Sequence, residues 1–145
     1  MKTKLFFYAL LLFTVIGFVS CKDDDDPKSD IVTFTATING ASEVPSNASS
    51  AIGMGNFTYN KTTYILSGTV TFSGITPTAA HIHKGAVGVA GGVIFPLASL
   101  VSPNSFTSVA LDATQRADLM ANMYYVNIHS AAFPGGEIRG QLMMK

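Results

Sequence analysis

The sequence predicts an all-β protein: an antiparallel, Greek-key-like sandwich or barrel of about eight strands with one short helix. Three observations carry this. Apolar and polar residues alternate over short segments, the period-two pattern of strands buried on one face. Those segments are rich in Thr, Val, Ile, Phe and Tyr, which suit a pleated, half-buried surface. Turn signals built on glycine, proline and asparagine recur about every ten residues, the spacing of short antiparallel strands.

Residues 31–39 (IVTFTATIN) put Val32, Phe34, Ala36 and Ile38 on one face and threonines on the other. Asn39-Gly40 turns the chain, and the polar, proline-containing residues 41–50 read as a loop. Residues 53–59 and 64–72 are the next strands, joined as a hairpin through Asn60-Lys61-Thr62-Thr63, with Leu66, Gly68, Val70 and Phe72 on a shared face. Gly74 and Pro77 mark another turn. Residues 79–83 form a short strand with Ile82 inward, so that His81 and His83 point together to the opposite face. A glycine-rich loop follows over 84–92, then strands at 93–97 and 105–111. Asp112 caps the helix, with Gln115 three residues on in the manner of a capping box. Ala113, Ala117 and Met120 line one side of that helix over about three turns. Residues 123–129 return as a strand, and 136–143 close the sheet.

The first 30 residues stand outside this pattern. Lys2 and Lys4 precede an uncharged apolar run at 5–19, short of the roughly 20 residues of a membrane span and suited to a secretory signal. Ser20-Cys21 follows. Cys21 is the only cysteine, so it has no internal disulfide partner. Phe18-Val19-Ser20-Cys21 resembles a lipobox, which makes 1–20 a lipoprotein signal peptide and Cys21 a lipidated (palmitate-bearing) first residue. An ordinary signal peptide with an incidental cysteine is the alternative. Residues 22–30 (KDDDDPKSD) have nothing to bury and read as a solvated tether, so 21–30 is a lipidated cysteine on an acidic leash. The acidic run resembles the surface-export signal of outer-membrane lipoproteins in some Gram-negative bacteria. The expected address is therefore the outer membrane, anchored through Cys21 and facing the cell surface. A periplasm-facing domain is the alternative.

Residues 31–145 make one domain. There Lys61, Lys84, Arg116, Arg139 and Lys145 stand against Glu43, Asp112, Asp118 and Glu137, a net charge of +1. With no basic run, the electrostatic footprint of nucleic-acid binding is missing. No Gly-x-Ser-x-Gly elbow, phosphate loop or His-Glu-x-x-His sequence occurs. Two of the four carboxylates belong to the helix, which leaves a poor basis for the paired acids of a glycosidase.

One pattern occurs twice. Ile82-His83, Gly91-Gly92, Ile94 and Leu97 recur as Ile128-His129, Gly135-Gly136, Ile138 and Leu142, offset by 46 residues at the histidines and 44 at the glycines. All three histidines, His81, His83 and His129, fall at these two strand-to-loop junctions. They are the side chains that titrate near neutral pH.

Three segments resemble the CHRD domain, named after chordin: Thr37 to Pro45 (TINGASEVP), Thr78 to His83 (TAAHIH) and Tyr125 to Leu142 (YVNIHSAAFPGGEIRGQL). The resemblance spans residues 31–145. In animals the domain occurs in a secreted antagonist of a growth factor, and in bacteria in exported proteins. It therefore implies an extracellular β-domain.

The histidines support two functions. The first is a non-enzymatic binding module for an extracellular protein or glycan, in which the rings hydrogen-bond the glycine-rich loops and fix the hairpins. Glu137 then pairs with Arg139. The alternative is a mononuclear metal centre, zinc or copper, held by His81, His83 and His129, with catalysis as a further option. Neutral imidazoles must then converge within about 2.0–2.1 Å of the ion, leaving a position for water. Glu137, the carboxylate nearest either copy, is the candidate fourth ligand or the partner that orients an imidazole.

Overall fold

The computed structural model describes residues 29–145. Residues 1–28, which include the expected signal peptide, Cys21 and most of the expected tether, lie outside the described residues. The elements in chain order are β1 (Ile31–Asn39), a 3-10 turn (Gly40–Ser42), β2 (Ile52–Asn60), β3 (Leu66–Ser73), β4 (Pro77–Lys84), β5 (Val93–Pro96), β6 (Asn104–Thr107), α1 (Ala113–Met120), β7 (Tyr124–Ser130), β8 (Ile138–Gln141) and β9 (Met143–Met144). The strands form one sheet in the order β5-β4-β7-β8-β1-β2-β3-β6, with β9 added on β1. Every pairing is antiparallel. β1 to β3 run as a meander, and the chain then crosses to the far half of the sheet to lay down β4. The sheet curls into a half-barrel around its own core. Its two edge strands approach through side chains: the Phe95 ring on β5 lies 5.6 Å from that of Phe106 on β6.

The predicted alternation is what fills the core. Phe34, Ala36 and Ile38 from β1, Leu66 and Val70 from β3, and Ala80 and Ile82 from β4 are all buried on the inner face. Tyr124, Val126 and Ile128 from β7 and Ile138 and Leu142 join them. A side chain of this size gains about 1.5–3 kcal/mol on full burial, so this face drives the fold.

The helix departs from expectation in two ways. Its capping box is present, with Gln115 N–H donating to Asp112 Oδ1 (2.8 Å) and Asp112 N–H to Gln115 Oε1 (3.0 Å). It has only eight residues, however. The side turned inward carries Leu119, while Ala113, Ala117 and Met120 are exposed. The largest aliphatic group sets the rotation of so short a helix, because small alanines gain little from burial. Residues 108–111 also leave the expected strand. There Ser108 Oγ accepts from Leu66 N–H (3.0 Å), a side-chain substitute for the next ladder bond.

The internal repeat becomes a spatial arrangement. Each copy is a hairpin, β4–β5 and β7–β8, and β4 pairs directly with β7. His81 lies opposite Asn127 in that ladder, and the 46-residue offset makes Asn127 its counterpart. The copies are thus related by an approximate two-fold axis through the His81–Asn127 pair. That axis brings both Ile-His junctions to the middle of the outer face.

Candidate metal centre

The inner face of β4 and β7 is apolar; their outer face is not. His81 and His83 from β4, Tyr125, Asn127 and His129 from β7, and Arg139 and Gln141 from β8 share it by the alternation of the strands. The three histidine rings sit as a triangle, with centroids 5.6 Å (His81–His83), 5.2 Å (His81–His129) and 6.0 Å (His83–His129) apart. One ring nitrogen from each lies within 4.8 Å of the other two. The structure therefore brings together all three histidines singled out in the sequence.

Their hydrogen bonds decide which nitrogen carries a proton. His83 Nδ1 is 3.0 Å from Gly91 O, and His129 Nδ1 is 3.0 Å from Pro134 O. A carbonyl only accepts, so in both rings Nδ1 is the N–H and Nε2 holds the lone pair. His83 Nε2 is buried without a hydrogen-bond partner. His129 Nε2 faces His81 Nδ1 at 3.3 Å and accepts its proton. Two lone pairs and one N–H thus converge on a single space. A buried acceptor without a partner costs about 1–3 kcal/mol, which this fold tolerates at His83.

Burial pushes the His83 imidazole below its ordinary range, and the nearby His129 and Arg139 push it further, against the Gly91 bond that favours the charged form. Burial likewise lowers His81, helped by His129 and His83. These two rings are neutral at physiological pH, so a metal need not displace a proton from them into solvent.

The β4–β7–β8 order places Tyr125 between His83 and Arg139. His83 stacks on its ring (5.0 Å, 14°), and the Arg139 guanidinium lies 3.4 Å from the ring centroid. The Tyr125 hydroxyl accepts from Gly91 N–H (3.0 Å), tying the ring to the carbonyl-bearing loop that orients His83. Arg139 is buried and donates from Nη2 to Ala86 O (2.9 Å) and Val89 O (3.0 Å), while Gln141 Nε2 donates to Gly85 O (2.9 Å). The glycine-rich loop is thus pinned over the site by groups on the strand beyond it.

A family model of the CHRD domain matches residues 34–142. The chain belongs to the CHRD family. No curated protein and no solved structure matches it. Within this CHRD domain the match begins at Phe34 and ends at Leu142, so it includes both hairpins and all three histidines.

Glu137 is the sequence-selected residue that the CHRD fold takes elsewhere. Its Oε1 accepts from Ser49 Oγ (2.6 Å), and its backbone carbonyl accepts from Asn47 Nδ2 (2.9 Å). It falls outside the histidine group, and it makes no ion pair with Arg139 among the described residues, where the one salt bridge is Lys84–Asp118 at 2.7 Å. Glu137 thus faces the 40s loop instead. Sequence reasoning puts Asn127 and Arg139 on the histidine face, as the strands do, but does not find Tyr125 as the ring on which His83 stacks. The position of Tyr125 at i−4 from His129 was the available signal, because a strand returns to the same face every second residue. It also missed Glu43, buried at 7 % exposure with Oε1 unpartnered, whose carboxyl burial pushes up.

Proposed function

We propose that this CHRD domain is an exported, lipid-anchored module that binds one transition-metal ion, of the zinc or copper class, through His81, His83 and His129. The observation that carries the reading is the unpartnered, buried Nε2 of His83, aimed from a ring whose other nitrogen is locked to Gly91 O. Metal-ligating histidines are commonly held this way, with the far N–H given to a carbonyl or carboxylate. His129 repeats the arrangement through Pro134 O. His81 would complete the set by moving its proton to Nε2 and offering Nδ1. All-nitrogen donors suit zinc and copper and not calcium or magnesium.

The role is binding rather than chemistry. Glu137 is committed to Ser49, so no sequence-selected carboxylate is left to act as acid or base beside the ion. A second reading has its own support. Val87, Val89 and Val93 are 70 %, 53 % and 52 % exposed on the loop and edge strand beside the histidines. Exposed apolar residues at a sheet edge favour an extracellular protein or glycan partner on that rim. Anchoring rests on the sequence alone, on the apolar run before Ser20-Cys21 and the acidic residues after it.

Calorimetric titration of the full chain with Zn2+ and with Cu2+ tests the metal reading. One equivalent should bind, and the His81/His83/His129 triple alanine variant should bind none at the same concentrations. Equal heats from both proteins would overturn the reading. For the anchor, a fatty-acid probe should label the wild-type chain and not Cys21→Ser.

A further inference from the structure

Resting on the metal-binding reading, we propose that Arg139 and Gln141 are positioning residues for the His83 ligand, acting through the glycine-rich loop at 85–91. Neither side chain hydrogen-bonds an imidazole. Both sit on β8, in the second copy of the repeat, and hold a loop that belongs to the first. Arg139 Nη2 donates to Ala86 O (2.9 Å) and Val89 O (3.0 Å), and Gln141 Nε2 donates to Gly85 O (2.9 Å). The same loop ends at Gly91. Its carbonyl fixes Nδ1 of His83 as the N–H and so leaves Nε2 as the free lone pair.

Together with the Tyr125 hydroxyl at Gly91, these polar bonds are what the loop rests on. Its tip turns through Gly88 at φ +74. Val87 and Val89 on either side are 70 % and 53 % exposed, so neither anchors the tip in the core. Arg139 is only 2 % exposed and stacks on Tyr125 at 3.4 Å, which fixes where its fork points. The buried Glu43 carboxyl lies within reach of its charge. The donors of Arg139, rather than that charge, connect it to His83. The Pro134 carbonyl that fixes His129 belongs to a different loop, closed by its own Ser130–Phe133 and Phe133–Gly136 bonds. Arg139 and Gln141 make no hydrogen bond to that loop. His129 is therefore an internal control.

Ring-nitrogen NMR and metal affinity, read together, test this. The full chain would carry Cys21→Ser, so that no thiol competes, and no affinity tag. In that parent protein His83 should be a single Nδ1–H tautomer. Arg139→Met keeps an apolar chain against Tyr125 and frees both loop carbonyls. It should let His83 sample both tautomers and leave His129 as Nδ1–H. Zn2+ should bind about tenfold more weakly by chelator competition, the lower end for a group that orients a ligand from behind. Glu43→Gln, which changes the local charge and no bond to this loop, should leave both rings unchanged. If Arg139→Met does not fold, judged by its melting curve, Gln141→Met decides instead, by freeing Gly85 O along with Asn122 O. An unchanged His83 ring in the variant would overturn the proposal. So would loss of the fixed tautomer at His83 and His129 together, which reports a general loosening. Failure of the parent protein to bind Zn2+ would overturn the metal reading alone, since the tautomers still decide the positioning.

Discussion

In the β4–β5 hairpin the junction histidine, His83, is 7 % exposed, stacked on Tyr125 and roofed by the loop that supplies Gly91 O. In the β7–β8 hairpin its counterpart, His129, is only partly buried and lies across the ladder from Ala79, the position equivalent to Tyr125. The second difference sits on the axis itself, where His81 in one copy is answered by Asn127 in the other. A repeat that kept full symmetry would offer four imidazoles. This one offers three, with one ring rigid and deep and another open to solvent. The glycine pairs differ too. In the first copy the constrained residue is Gly91, where a Cβ would collide with Lys84 O; in the second it is Gly136, at φ +133 with Asn127 and Glu43 within 2.7 Å of a Cβ. Their partners Gly92 and Gly135 have open space around them. The same Gly-Gly pair therefore serves close backbone approach in one loop and a left-handed turn in the other.

The largest expected effect breaks the deep half. Tyr125→Ala removes the ring between His83 and Arg139 and should cost about 3 kcal/mol in urea unfolding, near the lower end for a buried aromatic. Metal affinity should fall with it. Tyr125→Phe, which loses only the hydroxyl's two contacts with Gly91 (accepting from its N–H, donating to its carbonyl), should cost about 1 kcal/mol. Next come the glycines. Gly91→Ala and Gly136→Ala should each cost about 2 kcal/mol or more, through collision and strain, whereas Gly92→Ala and Gly135→Ala should stay within about 0.5 kcal/mol. Similar costs at all four would erase the distinction between the loops.

Acid should act on the buried rings. The unfolded chain takes up protons near pH 6.5 that His81 and His83 accept only at lower pH in the fold. Their contribution to stability is thus complete above the unfolded value and lost as pH falls through the folded values. The melting temperature should fall below about pH 6.5, and His83→Gln should flatten that fall. Glu43 has the opposite sign. Burial raises its carboxyl above 4.5, outweighing the Val44 N–H and Arg139. Its favourable contribution is present at low pH and lost as pH rises through the folded value. Glu43→Gln should therefore raise the melting temperature slightly at pH 7, with the difference gone near pH 4.

Much of this was legible in the sequence because strands write their burial as a period of two. Val32 to Ile38 and Ile82 between two histidines state their faces outright, and Ile-His twice over marked the site. What was not legible depends on partners far along the chain. The inward turn of Leu119 depends on which helix face meets the curled sheet. The diversion of Glu137 to Ser49 bridges 88 residues. The stack of His83, Tyr125 and Arg139 needs three strands in an order that no local pattern encodes.

The metal content of the full chain, isolated from cells without tag or chelator beside the His81/His83/His129 triple alanine variant, tests the centre most directly. Close to one equivalent of copper or zinc, absent from the variant, is the predicted result. No metal in either protein, even after both ions are supplied, would contradict it and leave the three rings as fasteners of two hairpins.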